Sequence, residues 1–223
     1  MDLEQREKTI FETLKQIADL DIILVGGYAI NAYVLPRFSV DCDVVISQNI
    51  KEIKSILIRN SFIQTEADKR TPYLGRFMRF EKNKAAVDVL INGVTDRSTD
   101  MSFPYDLIRQ NSEIRETVAR ASAEKISLRI ANPEMLFVMK FVSCRRQDIR
   151  DIFILANTEL NEEFIIKTLE TLFASAVSNK EKIKQIITNQ SFRDALQGVY
   201  GFVPENTFEA AKKKLLKILN KLQ

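Results

Sequence analysis

The stretch Ile22-Ile-Leu-Val-Gly-Gly-Tyr-Ala-Ile-Asn31, continued by Arg37-Phe-Ser-Val-Asp-Cys-Asp-Val-Val-Ile46, decides how the chain is read. Ile22 to Val25 has the length and composition of a short buried strand, and Gly26-Gly27 ends it. Tyr28 to Leu35 then carries a helix-compatible apolar pattern that Pro36 stops. Val40 to Ile46 reads as a second strand with Asp41 and Asp43 set into it. Side chains two apart on a strand share a face. Asp41 and Asp43 therefore converge, while Cys42 turns to the opposite face as a small core residue.

Outward from this core the pattern stays mixed. Leu3, Ile10, Leu14 and Ile17 recur at helical spacing in residues 2–20, which predicts an amphipathic opening helix. Ile50 to Arg59 predicts another helix, broken at Asn60-Ser61. Leu74 to Phe80 and Ala85 to Ile91 read as two strands of a hairpin linked by Lys82-Asn83-Lys84, and Asp88 interrupts the second of them. The pattern weakens after Asn92-Gly93, and a brief strand at Ile126 to Ile130 precedes Asn132-Pro133, an N-cap and first helical residue. Beyond it only helical periodicity remains, near 133–145, 147–157, 161–177, 179–188 and 205–222. The expected fold is α/β (α+β), a mixed sheet flanked by helices over residues 1–131, followed by an all-helical domain over residues 132–223.

Composition narrows the chemistry. The 223 residues carry 33 Lys+Arg against 30 Asp+Glu, a formal charge of +3, which does not describe a generic polyanion binder. With no histidine, Ser-His-Asp and Cys-His catalysis and histidine-ligated zinc are excluded. Two cysteines, Cys42 and Cys144, make no disulfide framework and fit a reducing compartment. Met1 to Lys8 is charged and lacks the apolar run of a signal peptide, and Ile22 to Leu35 is too short and too interrupted to span a membrane. The expectation is a cytoplasmic protein with no membrane partner. The lysines of the closing helix, Lys212 to Lys221, read as a solvated face opposite an apolar stripe.

Two converging carboxylates in a valine-rich strand repel each other and are costly to desolvate, so the pair calls for a cation. A hard divalent ion with oxygen ligands, Mg²⁺ or Mn²⁺, is the simplest candidate. Asp88 on a neighbouring strand would join them, and three such acids can hold metal for in-line phosphoryl chemistry. Each signal alone has a bland reading, a turn cap for the pair and a satisfied buried acid for Asp88. The glycine turn upstream tips the balance, because Gly26 and Gly27 let a phosphate approach backbone N–H groups.

In order, Val25-Gly26-Gly27, Asp41-Cys42-Asp43 and Asp88 resemble the nucleotidyltransferase superfamily of the DNA polymerase β type. Arg37-Phe38-Ser39-Val40 before the paired acids is similar to the Arg-x-Thr/Ser-x-Asp-h-Asp run of the AbiEii/MenA-like branch and related small prokaryotic nucleotidyltransferases. Lys140-Phe-Val-Ser-Cys-Arg145-Arg146-Gln-Asp148-Ile-Arg-Asp151 resembles a further motif of that branch, a lysine followed by arginine and then an Asp pair. On a continuous helix Asp148 and Asp151 would fall about 80° and about 20° from Lys140, on one side, and a break near Gln147 would spoil that geometry. The resemblance covers roughly residues 20–155, and Gly27 stands where many relatives have serine, so no serine hydroxyl is offered there to phosphates.

The resemblance implies a metal-dependent enzyme that transfers NMP from an NTP, ATP included, to an acceptor hydroxyl with release of pyrophosphate. Asp41, Asp43 and Asp88 would be the metal ligands and, with Lys140, the catalytic residues, Asp88 being the base. Gly26, Gly27, Arg37, Ser39, Lys140 and Asp148 would bind the nucleotide. Asp148 and Asp151 read equally as structural ion pairs with Arg145 or Arg150. The acceptor would be a tRNA, a protein or a small molecule, and a toxin role would bring a cognate antitoxin as partner. The alternative is a non-catalytic nucleotide-binding or protein-interaction module on the same fold.

Overall fold

A computed structural model describes residues 2–67 and 76–223 of the chain. They form two compact units, the first of Met1–Ala32, Pro36–Thr95 and Ser102–Asn132. The first unit runs α1 (Leu3–Ile17), β1 (Ile22–Val25), α2 (Gly26–Ile30), β2 (Asp41–Ile46), α3 (Ile50–Arg59), β3 (Ile63–Ala67), β4 (Arg76–Lys82), β5 (Ala85–Ile91), β6 (Gly93–Thr95), β7 (Ser102–Pro104), α4 (Tyr105–Gln110), β8 (Ser112–Val118) and β9 (Lys125–Ala131). Seven strands make one mixed sheet in the order β3-β4-β5-β2-β1-β9-β8, and β6 pairs with β7 in a separate ribbon. The α/β expectation holds.

The sheet is mixed because β1 runs antiparallel to β2, while β2 runs parallel to β5 and β1 parallel to β9. β1 is buried along its whole length, as its unbroken apolar run requires of a central strand. On α1, Ile10, Leu14 and Ile17 are buried at helical spacing. The β4–β5 hairpin turns on Asn83 and Lys84, both with positive φ (49° and 65°), the two left-handed residues a tight hairpin needs. β4 is described from Arg76, so the expected strand start at Leu74 lies outside the described residues.

The sequence pattern expected the helix after Gly27 to reach Leu35, but α2 ends at Ile30. Asn31 ends it by bonding elsewhere: its side-chain amide donates to the Arg37 carbonyl (2.9 Å) and its carbonyl accepts the Arg37 N–H (3.0 Å). β8 leaves no strand signal in the sequence, because Ser-Glu-Ile-Arg-Glu-Thr-Val is an edge strand whose side chains are mostly exposed and carry no apolar alternation.

The second unit comprises Tyr33–Leu35, Asp96–Met101 and Pro133–Gln223. It contains α5 (Pro133–Ser143), α6 (Arg146–Leu155), α7 (Glu162–Leu172), a 3₁₀ turn at Ala174–Ser178, α8 (Asn179–Ile187), α9 (Phe192–Tyr200) and α10 (Glu205–Lys221). α5 is its central helix, buried continuously from Met135 to Val142. Phe153 of α6 packs against Phe192 and Phe208, with ring centroids 5.0 and 4.8 Å away. The single helix expected over 161–177 breaks at Phe173, which leaves helical geometry (φ −133°, ψ 37°). α9 lies between the helical segments expected at 179–188 and 205–222, although Phe192, Leu196 and Tyr200, all buried, are four residues apart. Among the described residues no helix is long and apolar enough to cross a membrane.

Candidate active site

Four neighbouring strands bring one row of residues together. Val25 of β1 pairs with Asp43 of β2, Asp43 with Asp88 of β5, and Asp88 with Arg79 of β4. Residues in register on adjacent strands share a face, so Asp43, Asp88 and Arg79 lie side by side, with Asp41 two positions along β2. Ligand oxygens of Asp41, Asp43 and Asp88 lie within 4.8 Å of one another, a group that could hold a metal ion. The flanking Val44, Val87 and Val89 are fully buried, so the sheet holds the acids rigidly. Cys42 points into the core as the alternation requires, and burial, followed by the charges of Asp43, Asp41 and Asp88, pushes its thiol well up. A protonated thiol of this kind is packing, not chemistry.

The glycine turn is shaped against these acids. Gly26 has φ +70°, and a Cβ there would come 2.9 Å from Cγ of Asp43. A Cβ on Gly27 would meet Cβ of Ser39 at 2.8 Å and Nη2 of Arg37 at 3.0 Å. The Val25-Gly26-Gly27 backbone therefore passes over Asp43 on one side and over Arg37 and Ser39 on the other. Arg37 is 1% exposed and Ser39 3% exposed, and Nη1 of Arg37 donates to the Phe38 carbonyl (3.0 Å). Both side chains support the turn from beneath.

Arg79 was not singled out in the sequence. Its Nη1 lies 3.0 and 3.3 Å from the two carboxylate oxygens of Asp88 and 3.8 Å from Oδ2 of Asp41, while Nε donates to Glu81 (2.8 Å). Partial burial alone would lower the pKa of this guanidinium, but bonding to Glu81 and the charges of Asp88 and Asp41 outweigh it and raise the value. The available signal was its position: in a hairpin of this register Arg79 must face Asp88.

In the second unit Lys140 is the only lysine on α5, and it is buried. Its Nζ lies 2.8 Å from Oδ1 of Asp148 and 3.1 Å from Oδ2 of Asp151. Asp148 also accepts from the Arg145 backbone N–H (3.1 Å) and from Arg145 Nε (2.7 Å), and Asp151 accepts from the Tyr200 hydroxyl (2.6 Å). The helix does break before these acids, at Cys144 (φ 46°) rather than at Gln147, yet the three groups meet. The break does not spoil the geometry because the left-handed turn redirects the chain and Asp148, at the third position of α6, caps that helix from within. The freed end of α5 is satisfied by Asn179, donating to the Phe141 and Val142 carbonyls, and by Lys182, donating to that of Cys144.

A family model described as nucleotidyl transferase AbiEii toxin, type IV toxin–antitoxin system, matches residues 11–216. The chain belongs to the AbiEii family. It is thus a member of a nucleotidyltransferase toxin family, as the glycine turn, the paired acids and the lysine motif implied. No curated protein matches the chain. For an AbiEii-family protein the all-oxygen donors of Asp41, Asp43 and Asp88 suit a hard divalent ion such as Mg²⁺ or Mn²⁺. The Arg79 guanidinium sits against two of the three acids, Asp41 and Asp88.

Proposed function

We propose that this chain transfers NMP from an NTP to an acceptor hydroxyl and releases pyrophosphate. The observation that carries the reading is the triad of Asp41, Asp43 and Asp88, held on adjacent strands beside a glycine turn that no side chain could share. In this reading Asp41 and Asp43 are shared metal ligands and Asp88 completes the site. A bound divalent ion would polarise the phosphoryl oxygens and offset the charge that develops on the attacking and leaving oxygens.

The chain's own residues do the rest. The Gly26-Gly27 backbone offers N–H groups to the phosphates, and its close fit over Asp43 fixes their distance from the acids. Arg37 and Ser39, buried under the turn, hold that backbone in place and so serve nucleotide binding by positioning it. As the acceptor oxygen bonds to the α-phosphorus and the bond to pyrophosphate breaks, a carboxylate oxygen of Asp88 takes the hydroxyl proton. Lys140 and Asp148 enter this reading from the motif alone. The toxin description of the AbiEii family supports a cognate antitoxin as partner. In this reading the acceptor is a tRNA, a protein or a small molecule.

The test is transfer of label from each of four α-labelled NTPs, with Mg²⁺ or Mn²⁺, into total RNA, the protein itself and a mixture of small hydroxyl compounds. The wild type is expected to transfer label and Asp43→Ala to transfer none. Equal transfer by both would overturn the reading.

A further inference from the structure

Arg79 is a cation already present at the acid cluster. Its Nη1 touches both oxygens of Asp88 and approaches Asp41, two of the three carboxylates that could ligate a metal. The side chain is one-fifth exposed, and Nε donates to Glu81 two residues along the same strand. A guanidinium bonded to a carboxylate and a metal bound to the same carboxylate compete for its lone pairs.

We propose that Arg79 is a resident counter-ion that a divalent metal must displace, and so sets the metal affinity of the site. Three nearby carboxylates would repel one another strongly were no cation among them. Arg79 supplies that charge while the metal is absent, and rotation about its side chain, pivoting on the Glu81 contact, clears Asp88 and Asp41. Metal-free protein is thereby stabilised and metal loading is made weaker. The inference rests on the metal-binding part of the proposed function, not on the transfer reaction itself.

The experiment is Mn²⁺ titration followed by electron paramagnetic resonance, on the full chain, for wild type and Arg79→Met, with thermal melts in EDTA and in excess Mn²⁺. Loss of a charge-assisted bond to a ligand carboxylate predicts Mn²⁺ binding tighter by about 10- to 100-fold in Arg79→Met. Arg79→Met should also melt lower than wild type in EDTA and recover in Mn²⁺. Should Arg79→Met fail to fold, Arg79→Gln, which keeps a donor without the charge, is expected to show the same tightening. Adding Asp88→Asn to either variant should abolish the gain. Equal Mn²⁺ affinity in wild type and the folded Arg79 variant would overturn the inference. The label-transfer assay is read separately: tightened Mn²⁺ binding without label transfer by wild type sinks the proposed reaction and leaves the role of Arg79 standing, and transfer without tightening does the reverse.

Discussion

Replacing Lys140 by methionine should destabilise the protein severely, and the size of the effect follows from what the lysine faces. The side chains of Lys140, Asp148 and Asp151 are 11%, 2% and 0% exposed, and one ammonium bridges both acids. Methionine has the length of the lysine stem but no charge, so two sealed carboxylates lose their shared cation. Asp148 retains Arg145 and Asp151 retains Tyr200, which soften the loss without cancelling it. Breaking a buried pair by removing one partner costs about 3–5 kcal/mol. At roughly 2–4 °C per kcal/mol for a chain of this length, the midpoint should fall by about 6–20 °C. Thermal melts at neutral pH would measure it. The companion variant Lys140→Met/Asp148→Asn/Asp151→Asn, which removes the charges together, should recover most of the loss, because a neutral hydrogen-bonded cluster carries no uncompensated charge. A midpoint within about 2 °C of wild type for Lys140→Met alone would refute the reasoning and free the lysine for a role at phosphate.

Gly26→Ala should cost about 1–2 kcal/mol in stability from the positive φ alone, and in addition lower Mn²⁺ affinity, because the new methyl drives the Asp43 carboxylate from its place; unchanged Mn²⁺ binding in the folded variant would contradict the packing. Asp96 is a pH-sensitive group: burial would raise its pKa, but bonds from Ser143, Ser98 and Thr99 outweigh burial and hold it below the ordinary carboxylate value. A depressed folded pKa gives stability that is present above the unfolded value and lost as pH falls through the folded one. The midpoint of Asp96→Asn should therefore lie below that of wild type near pH 7, and the gap should close as pH drops below about 4; a gap independent of pH would mean that no proton linkage runs through Asp96 and would refute this.

What the sequence disclosed and what it hid follow one rule. Asp41, Asp43 and Asp88 were legible because each violates the apolar pattern of a strand that the structure buries, and a violation in a core element needs a reason. Arg79 was hidden because it obeys its pattern: in Arg-Phe-Met-Arg-Phe-Glu-Lys a charged residue on a half-buried strand looks like a solvent-facing one, and only the register with β5 turns it toward Asp88. Cys144 was hidden for a different reason, since nothing in its side chain announces a left-handed backbone, which the surrounding carbonyl caps from Asn179 and Lys182 enforce. Asp96 reads locally as a turn former, and its bond to Ser143 spans 47 residues, beyond any local signal.

The two carboxylate clusters share a composition and differ in exchangeability. Around Lys140 the acids are sealed, and they are met by Lys140, Arg145 and the Tyr200 hydroxyl. Around Arg79 the cation is one-fifth exposed and also bonds Glu81, Asp41 and Asp43 are only half-buried, and the glycine turn puts no side chain of its own against Asp43. A sealed ion network resists exchange because each step strands a charge in low dielectric, whereas a guanidinium that is one-fifth exposed can be replaced on its carboxylates by an incoming cation without leaving them unpaired. The first cluster is therefore built to persist, and the second is the one in which the proposed exchange of Arg79 for a metal ion would take place.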